Sequence, residues 1–252
     1  MLTRRPLNVA VLCSRRAPGL LQLLTRSPRR GVAWNIACCL TSEENFDEAE
    51  RVQRLGVPVV AHPVRRFYFE RQQNARIGSL SVRAEYDRRT LDLLQSFSPD
   101  VVLLAGYLLV LTAPMLDAFD GRIVNVHHSD LLQRDRFGAP RYPGLRAVRD
   151  AIVAGETETR STAHLVTERL DAGRPLVRSW AFPVPPVAAW ARAQGAADVL
   201  RPVIWAHQEW MLRSAFGPLL ARALDLVATE QLDAAVEVLV EPDARTRDLV
   251  HA

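Results

Sequence analysis

The chain has 252 residues, 48% of them hydrophobic and 24% charged, and its 32 basic and 28 acidic side chains leave a formal net charge of +4. That balance suits an ordinary globular protein with one substantial core and excludes a disordered or fibrous chain. No run approaches the roughly 18 uncharged apolar residues that cross a membrane.

A sequence pI near 9.4 invites a nucleic-acid reading. All 32 basic residues are arginine, however, and they stand as scattered pairs among comparable numbers of acids, without a nucleic-acid-binding motif. A solvated face is the better reading, and neither nucleic acid nor membrane is expected as a partner. The N-terminus runs directly into a first strand, leaving no room for a signal peptide. Cys13, Cys38 and Cys39 lie in candidate strands and suit buried, reduced thiols of a cytoplasmic protein. No zinc-ligand spacing is present, so no metal is expected.

In chain order, Leu7–Cys13 reads as a strand, Leu20–Leu24 as the start of a helix, and Trp34–Leu40 as a second strand. Phe46–Leu55 reads as a helix ended by Gly56, and Val57–Ala61 as a third strand. The alternation argues for an α/β chain with an open, mostly parallel, Rossmann-like sheet and helices on both faces. Arg65 to Arg83 shows no clear period and is long for a loop, so it is functional or mobile. Tyr86–Phe97 is an amphipathic helix, with Leu93, Leu94 and Phe97 as its stripe.

The apolar run Val101–Ala105, stopped by Gly106, reads as a strand buried on both faces. Pro114–Phe119 is a short helix, and Ile123-Val124 opens a strand that ends in Asn125 and His127. Residues two apart on a strand share a side, so Asn125 and His127 point together and His128 points away. The polar stretch Leu132–Arg141, broken by Gly138 and Pro140, reads as a surface loop. Gly144–Ala154 follows as a helix, then strands Thr162–Val166 and Leu176–Phe182, with Asp171 in the turn between them. From Pro202 a long helix carries Ile204, Met211, Ala215, Leu219 and Leu226 as its apolar stripe. One domain over 1–252 is expected, with this helix as a C-terminal extension. A carboxamide, an imidazole and a carboxylate at sheet edges are the parts needed to handle a developing oxyanion and a proton.

Four motifs occur in order: Pro99-Asp100-Val-Val-Leu-Leu-Ala-Gly-Tyr107, Gly121-Arg-Ile-Val-Asn-Val-His127, Tyr142-Pro-Gly-Leu145 and Thr162-Ala-His-Leu-Val-Thr-Glu-Arg-Leu-Asp-Ala-Gly173. Together they resemble the folate-dependent formyltransferase family, most closely the glycinamide ribonucleotide formyltransferases of purine synthesis. The resemblance runs from about Asn8 to about Ala228 and implies the fold of that family. It implies 10-formyltetrahydrofolate as formyl donor and a small primary amine as acceptor, by default glycinamide ribonucleotide.

It also implies roles. Asn125 and His127 would donate to the formyl oxygen, and Asp171 would accept from the imidazole or a water and relay the amine's proton. The pterin would lie between the backbones of Leu108, Leu109, Val110 and Leu111 and of Thr167, Glu168, Arg169, Leu170 and Asp171, with Asn125 at hand. Arg15, Arg16, Arg83 and Glu209 would face the acceptor. The glycine-rich phosphate turn of the relatives is replaced here by Ser14-Arg-Arg-Ala-Pro-Gly19, in which Pro18 lacks an N–H. The Leu132–Arg141 loop is several residues longer than in relatives. His164 matches a family position and is expected to serve packing. Two alternatives stay open: hydrolysis of 10-formyltetrahydrofolate, suggested by Asn125-Val-His-His-Ser129, and transfer to an amino sugar or other small amine.

Overall fold

The computed structural model describes residues 5–71 and 79–241. Its elements run β1 (Leu7–Cys13), α1 (Leu20–Arg26), β2 (Trp34–Thr41), α2 (Ala49–Arg54), β3 (Val59–Ala61), α3 (Val64–Arg71), α4 (Leu80–Gln95) and β4 (Val101–Leu104). Then come α5 (Ala113–Ala118), β5 (Ile123–His127), α6 (Ala147–Ala154), β6 (Glu158–Thr159), β7 (Thr162–Leu165), β8 (Pro175–Arg178) and β9 (Phe182–Pro183). The described chain closes with α7 (Pro186–Ala193), α8 (Ala197–Ala228) and β10 (Glu237–Val238).

Eight strands form one sheet in the order β10-β8-β7-β5-β4-β1-β2-β3, and β6 pairs with β9 beside it. The five strands from β3 to β5 run parallel, whereas β7 joins β5 antiparallel and β8 joins β7 antiparallel. The sheet is therefore mostly parallel, as the alternating pattern requires. Both faces are covered. Along β1, Val9, Val11 and Cys13 enter one core with α1, α6 and α8, while Ala10 and Leu12 enter the other with α4 and α5. Period-two alternation within an all-apolar strand is what lets a single strand feed two cores.

Several expectations need correction. The stretch Arg65–Arg83 is not without structure: α3 begins one residue before it, and α4 begins at Leu80 rather than Tyr86. Val64, Phe67 and Tyr68 sit at i, i+3 and i+4 on α3 and are buried with Val82 and Tyr86 of α4; residues 72–78 lie outside the described residues. The strand expected over Leu176–Phe182 is split, because Ser179 turns inward and its Oγ takes the Ser161 N–H at 2.9 Å. The last long helix starts at Ala197 and contains Pro202 and Pro218. Tertiary packing overrides the two lost N–H groups there, since Met211, Ala215, Leu219 and Leu226 are all buried as the stripe predicts. Helix α7 and strand β10 were not expected.

The carboxyl ends of β1 and β4 approach closely. Ser14 N–H donates to the Gly106 carbonyl at 3.2 Å, and Leu108 N–H donates to Ser14 Oγ at 3.1 Å. Gly106 has φ +72°, and a Cβ there would stand 2.7 Å from the Pro18 ring and 2.8 Å from the Arg16 carbonyl oxygen. Both the left-handed backbone and the backbone contact oppose any side chain. Gly106→Ala is expected to lower the unfolding free energy by about 2–4 kcal/mol in urea titrations; an unchanged midpoint would show that β1 and β4 can part at no cost.

Candidate active site

Strand β5 carries Val124 and Val126 into the α8-side core, so Asn125 and His127 face the opposite way. His128 is turned back against the Phe216 ring, with centroids 4.6 Å apart. Burial pushes its imidazole down to about 3, so it is neutral packing in the core. The alternation argument thus separates the two adjacent histidines correctly.

The antiparallel register places Asn125 opposite His164. His164 Nδ1 lies 2.8 Å from the Leu165 carbonyl, which only accepts, so the proton of the neutral ring is on Nδ1. Burial pushes this imidazole down to about 4, against the opposing charge of Asp171, which raises it. Its Nε2 therefore accepts from Asn125 Nδ2–H at 3.2 Å. That bond fixes which way the carboxamide points and leaves its second N–H to face outward. His164 does more than pack; sequence reasoning missed this because the pairing exists only in the β5–β7 register.

His127 is held from two sides. Its Nε2 donates to the Tyr142 carbonyl at 2.8 Å. Its Nδ1 stands 3.5 Å from Asp171 Oδ2, an approach that is an ion pair only when the ring is protonated. Both side chains are nearly buried, at 8% and 6% exposure. Asp171 Oδ2 itself accepts the Gly144 N–H at 2.8 Å, and Asp171 Oδ1 lies 3.8 Å from His164 Nε2. Asp171 has φ 52°, in the left-handed region that Asp tolerates better than most residues. Gly173 lets this turn fold onto β7, since a Cβ there would come within 1.8 Å of the Leu165 carbonyl oxygen. Asn125 and His127, neighbours on β5, thus converge with Asp171 from the turn after β7.

Val166, just ahead of the second expected pterin wall, packs in the same apolar cluster as Leu109 and Leu111 of the first. Leu111 is in the core, whereas Leu108, Val110 and Leu170 are more than half exposed. The Leu108 N–H is taken by Ser14, so the wall offers ligands its other backbone groups. A cavity of about 370 Å³ between α4 and α5 opens beside Ser98, Pro99 and Arg122 at the amino ends of β4 and β5. That is the wrong edge for a reaction site in a parallel sheet.

On the acceptor side the expected residues partly find each other. Arg16 and Glu209 form a bidentate pair at 2.8 and 3.1 Å, with Arg213 3.6 Å from the same carboxylate. The Arg16 guanidinium holds the Glu209 carboxyl below its ordinary range. Arg15 pairs instead with Asp47 at 3.1 Å, and the Ala17 N–H goes to Glu48 at 3.3 Å. Arg83 lies apart from both, nearly buried, with its guanidinium over the Tyr68 and Tyr86 rings at 5.5 and 5.2 Å. Among the described residues no group of His, Cys, Asp and Glu could hold a metal ion. No helix of the described residues is long and apolar enough to cross a membrane.

An amide, an imidazole and a carboxylate converging at the carboxyl edge of a largely parallel sheet define an enzyme of the α/β class that can meet a developing oxyanion and a proton. The formyl transferase family model matches residues 7–188, and the chain belongs to that family. It is 26% identical over 178 residues to the phosphoribosylglycinamide formyltransferase of Escherichia coli, a match covering 71% of this chain and 74% of that one. It is 30% identical over 190 residues to the trifunctional purine biosynthetic protein adenosine-3 of Drosophila melanogaster, covering 74% of this chain but only 12% of that longer protein. The glycinamide ribonucleotide transformylase 1 structure from Symbiobacterium toebii superposes with a TM-score of 0.65 at 24% identity, covering 94% of this chain and 95% of that one, and so shares the fold.

The neutral rings set a pH dependence. His164 has a folded pKa of about 4 against an ordinary 6.5. Below pH 6.5 the unfolded chain takes a proton that the folded ring refuses, so stability present above that pH is lost as pH falls towards about 4. Replacing His164 by Gln, which still accepts from Asn125, should remove close to one proton from the uptake on unfolding at about pH 5. The uptake is read from the pH slope of the denaturation free energy; an identical slope in the variant would mean that His164 is protonated in the folded protein.

Proposed function

We propose that the chain transfers a formyl group from 10-formyltetrahydrofolate to a primary amine in the cytoplasm, with glycinamide ribonucleotide as the default acceptor. The observation that carries this reading is the convergence of Asn125, His127 and Asp171. The exposed apolar side chains and free backbone beside Leu108–Leu111 and Thr167–Asp171 suit a flat, hydrogen-bonding ring such as a pterin. The donor supplies an activated formyl group when bound.

Asn125 gives the formyl oxygen its outward N–H, the other being held by His164. In its protonated form His127 gives a second donor from Nδ1, its Nε2–H being spent on Tyr142. Donors fixed before the amine attacks need no reorganisation as charge builds on the oxygen, which is where such sites gain most rate. Asp171, 3.5 Å from His127, takes the proton that the amine loses. The acceptor lies towards Arg16 and Glu209, its far end meeting side chains rather than a glycine-rich turn. His128 is packed on Phe216, so only one imidazole of the His-His-Ser sequence faces the site.

Purified protein with 10-formyltetrahydrofolate, with and without glycinamide ribonucleotide or other small amines, tests this through tetrahydrofolate release. Release only with an amine is expected; amine-independent formate would identify a hydrolase. His127→Ala and Asp171→Asn should each lower kcat at least about a hundredfold while donor binding persists, since both groups act mainly in the transition state. A near-normal rate in either variant removes that residue from the catalytic set.

A further inference from the structure

We propose that Glu156 is a positioning residue for His127, acting through the side chain and backbone of Tyr142. This rests on the formyl-transfer reading for its consequence in turnover. The contact chain is short and continuous. Tyr142 OH donates to Glu156 Oε1 at 2.9 Å, and Arg141 Nη1 reaches the same oxygen at 3.1 Å. The Tyr142 carbonyl takes the His127 Nε2–H. Two residues on, the Gly144 N–H takes the Asp171 oxygen that faces His127 Nδ1. One three-residue segment therefore touches both partners of the imidazole–carboxylate pair, and its outer end is tied to Glu156.

Local chemistry makes the tie effective. Pro143 disfavours the helical region for Tyr142 and so narrows the backbone freedom between its side chain and its carbonyl. Glu156 is itself fixed just beyond the C-cap of α6, where its N–H donates to the Ala151 carbonyl at 3.1 Å. The tyrosine hydroxyl is pushed up to about 12, by burial first and by Glu156 next, so it remains a donor at every working pH. Glu156 and Tyr142 also line one water-sized cavity with His128 and Ser129, directly behind the β5 end.

The need for a tie follows from the long loop. Between His127 and Tyr142 the chain makes an excursion that closes on itself: Arg141 N–H donates to the Gln133 carbonyl, and Asp135 Oδ1 takes the Phe137 and Ala139 N–H groups. These bonds order the loop internally, and at its outgoing end Asp130 and Leu131 hold it to the sheet through Arg178 of β8 and Thr162 of β7. At its return end Arg141 and Tyr142 are held instead by Glu156, just beyond α6.

Tyr142→Phe and Glu156→Ala remove the tie, whereas Glu156→Gln keeps an acceptor oxygen. Expected are a kcat about tenfold lower in the first two with KM for the formyl donor within about twofold, and near-wild-type kcat in the third. Nitrogen-15 NMR of histidine-labelled protein supplies a readout independent of turnover. The His127 Nε2 signal should move towards mixed tautomers in Tyr142→Phe and Glu156→Ala, with His62 and His164 unmoved. If wild-type protein forms no formyl product yet His127 responds, the function reading fails and the tie stands. If active, folded variants keep both kcat and the His127 spectrum, the tie is refuted and the function reading survives. Should Tyr142→Phe not fold, the Glu156→Ala and Glu156→Gln pair decides alone.

Discussion

The antiparallel pairing of β7 on β5 is the constraint from which the site follows. A sixth parallel strand would have continued the sheet without setting a side chain of β7 against Asn125 in this register. Reversing direction sets His164 directly against Asn125, and the turn that follows β7 folds back to bring Asp171 to His127. A buried neutral imidazole with its proton committed to a backbone carbonyl is a pure acceptor. It therefore selects one orientation of the carboxamide, which an apolar neighbour could not do. The orientation of Asn125 is a property of sheet register rather than of any loop.

The charged groups on the acceptor side obey a different logic. Arg16 and Glu209 come from a turn and a helix nearly two hundred positions apart, and each neutralises the other where neither could be fully solvated. Glu48 is pushed above its ordinary range, chiefly by burial. Arg15 is drawn off to Asp47. Five charged side chains, Arg15, Arg16, Asp47, Glu48 and Glu209, thus gather at the turn after β1. Such pairs are partly exposed, so they are worth little to stability and much to selectivity.

What was legible in the sequence was whatever depends on nearest neighbours. The apolar runs of β1 and β4, the facing of Asn125 with His127 and the turning away of His128 all follow from a period of two. The stripe of α8 follows from a period near 3.6. The Asn125–His164 bond, the Arg16–Glu209 pair and the Glu156–Tyr142 tie were not legible, because each joins segments whose relative placement is fixed only by the folded sheet. Helix α3 was missed for a different reason. Its apolar residues Val64, Phe67 and Tyr68 have helical spacing, but Arg65, Arg66, Glu70 and Arg71 among them hide it in a short window. Only packing on Val82 and Tyr86 makes the pattern decisive.

Asp171 shows how the two kinds of order are balanced. Its left-handed backbone, at φ 52°, costs about 1–3 kcal/mol for a residue other than glycine. The hydrogen bond from Gly144 N–H to its carboxylate, with the side chain 6% exposed, returns about 1.5–3 kcal/mol. The bond offsets the strain, so the carboxylate stays aimed at His127 although it stands on a turn and not on a strand. The same N–H belongs to the segment whose carbonyl holds the imidazole. Movement of Tyr142–Gly144 would therefore release both groups together, which makes the stiffness of that segment, more than that of the sheet, the variable on which the alignment of imidazole and carboxylate depends.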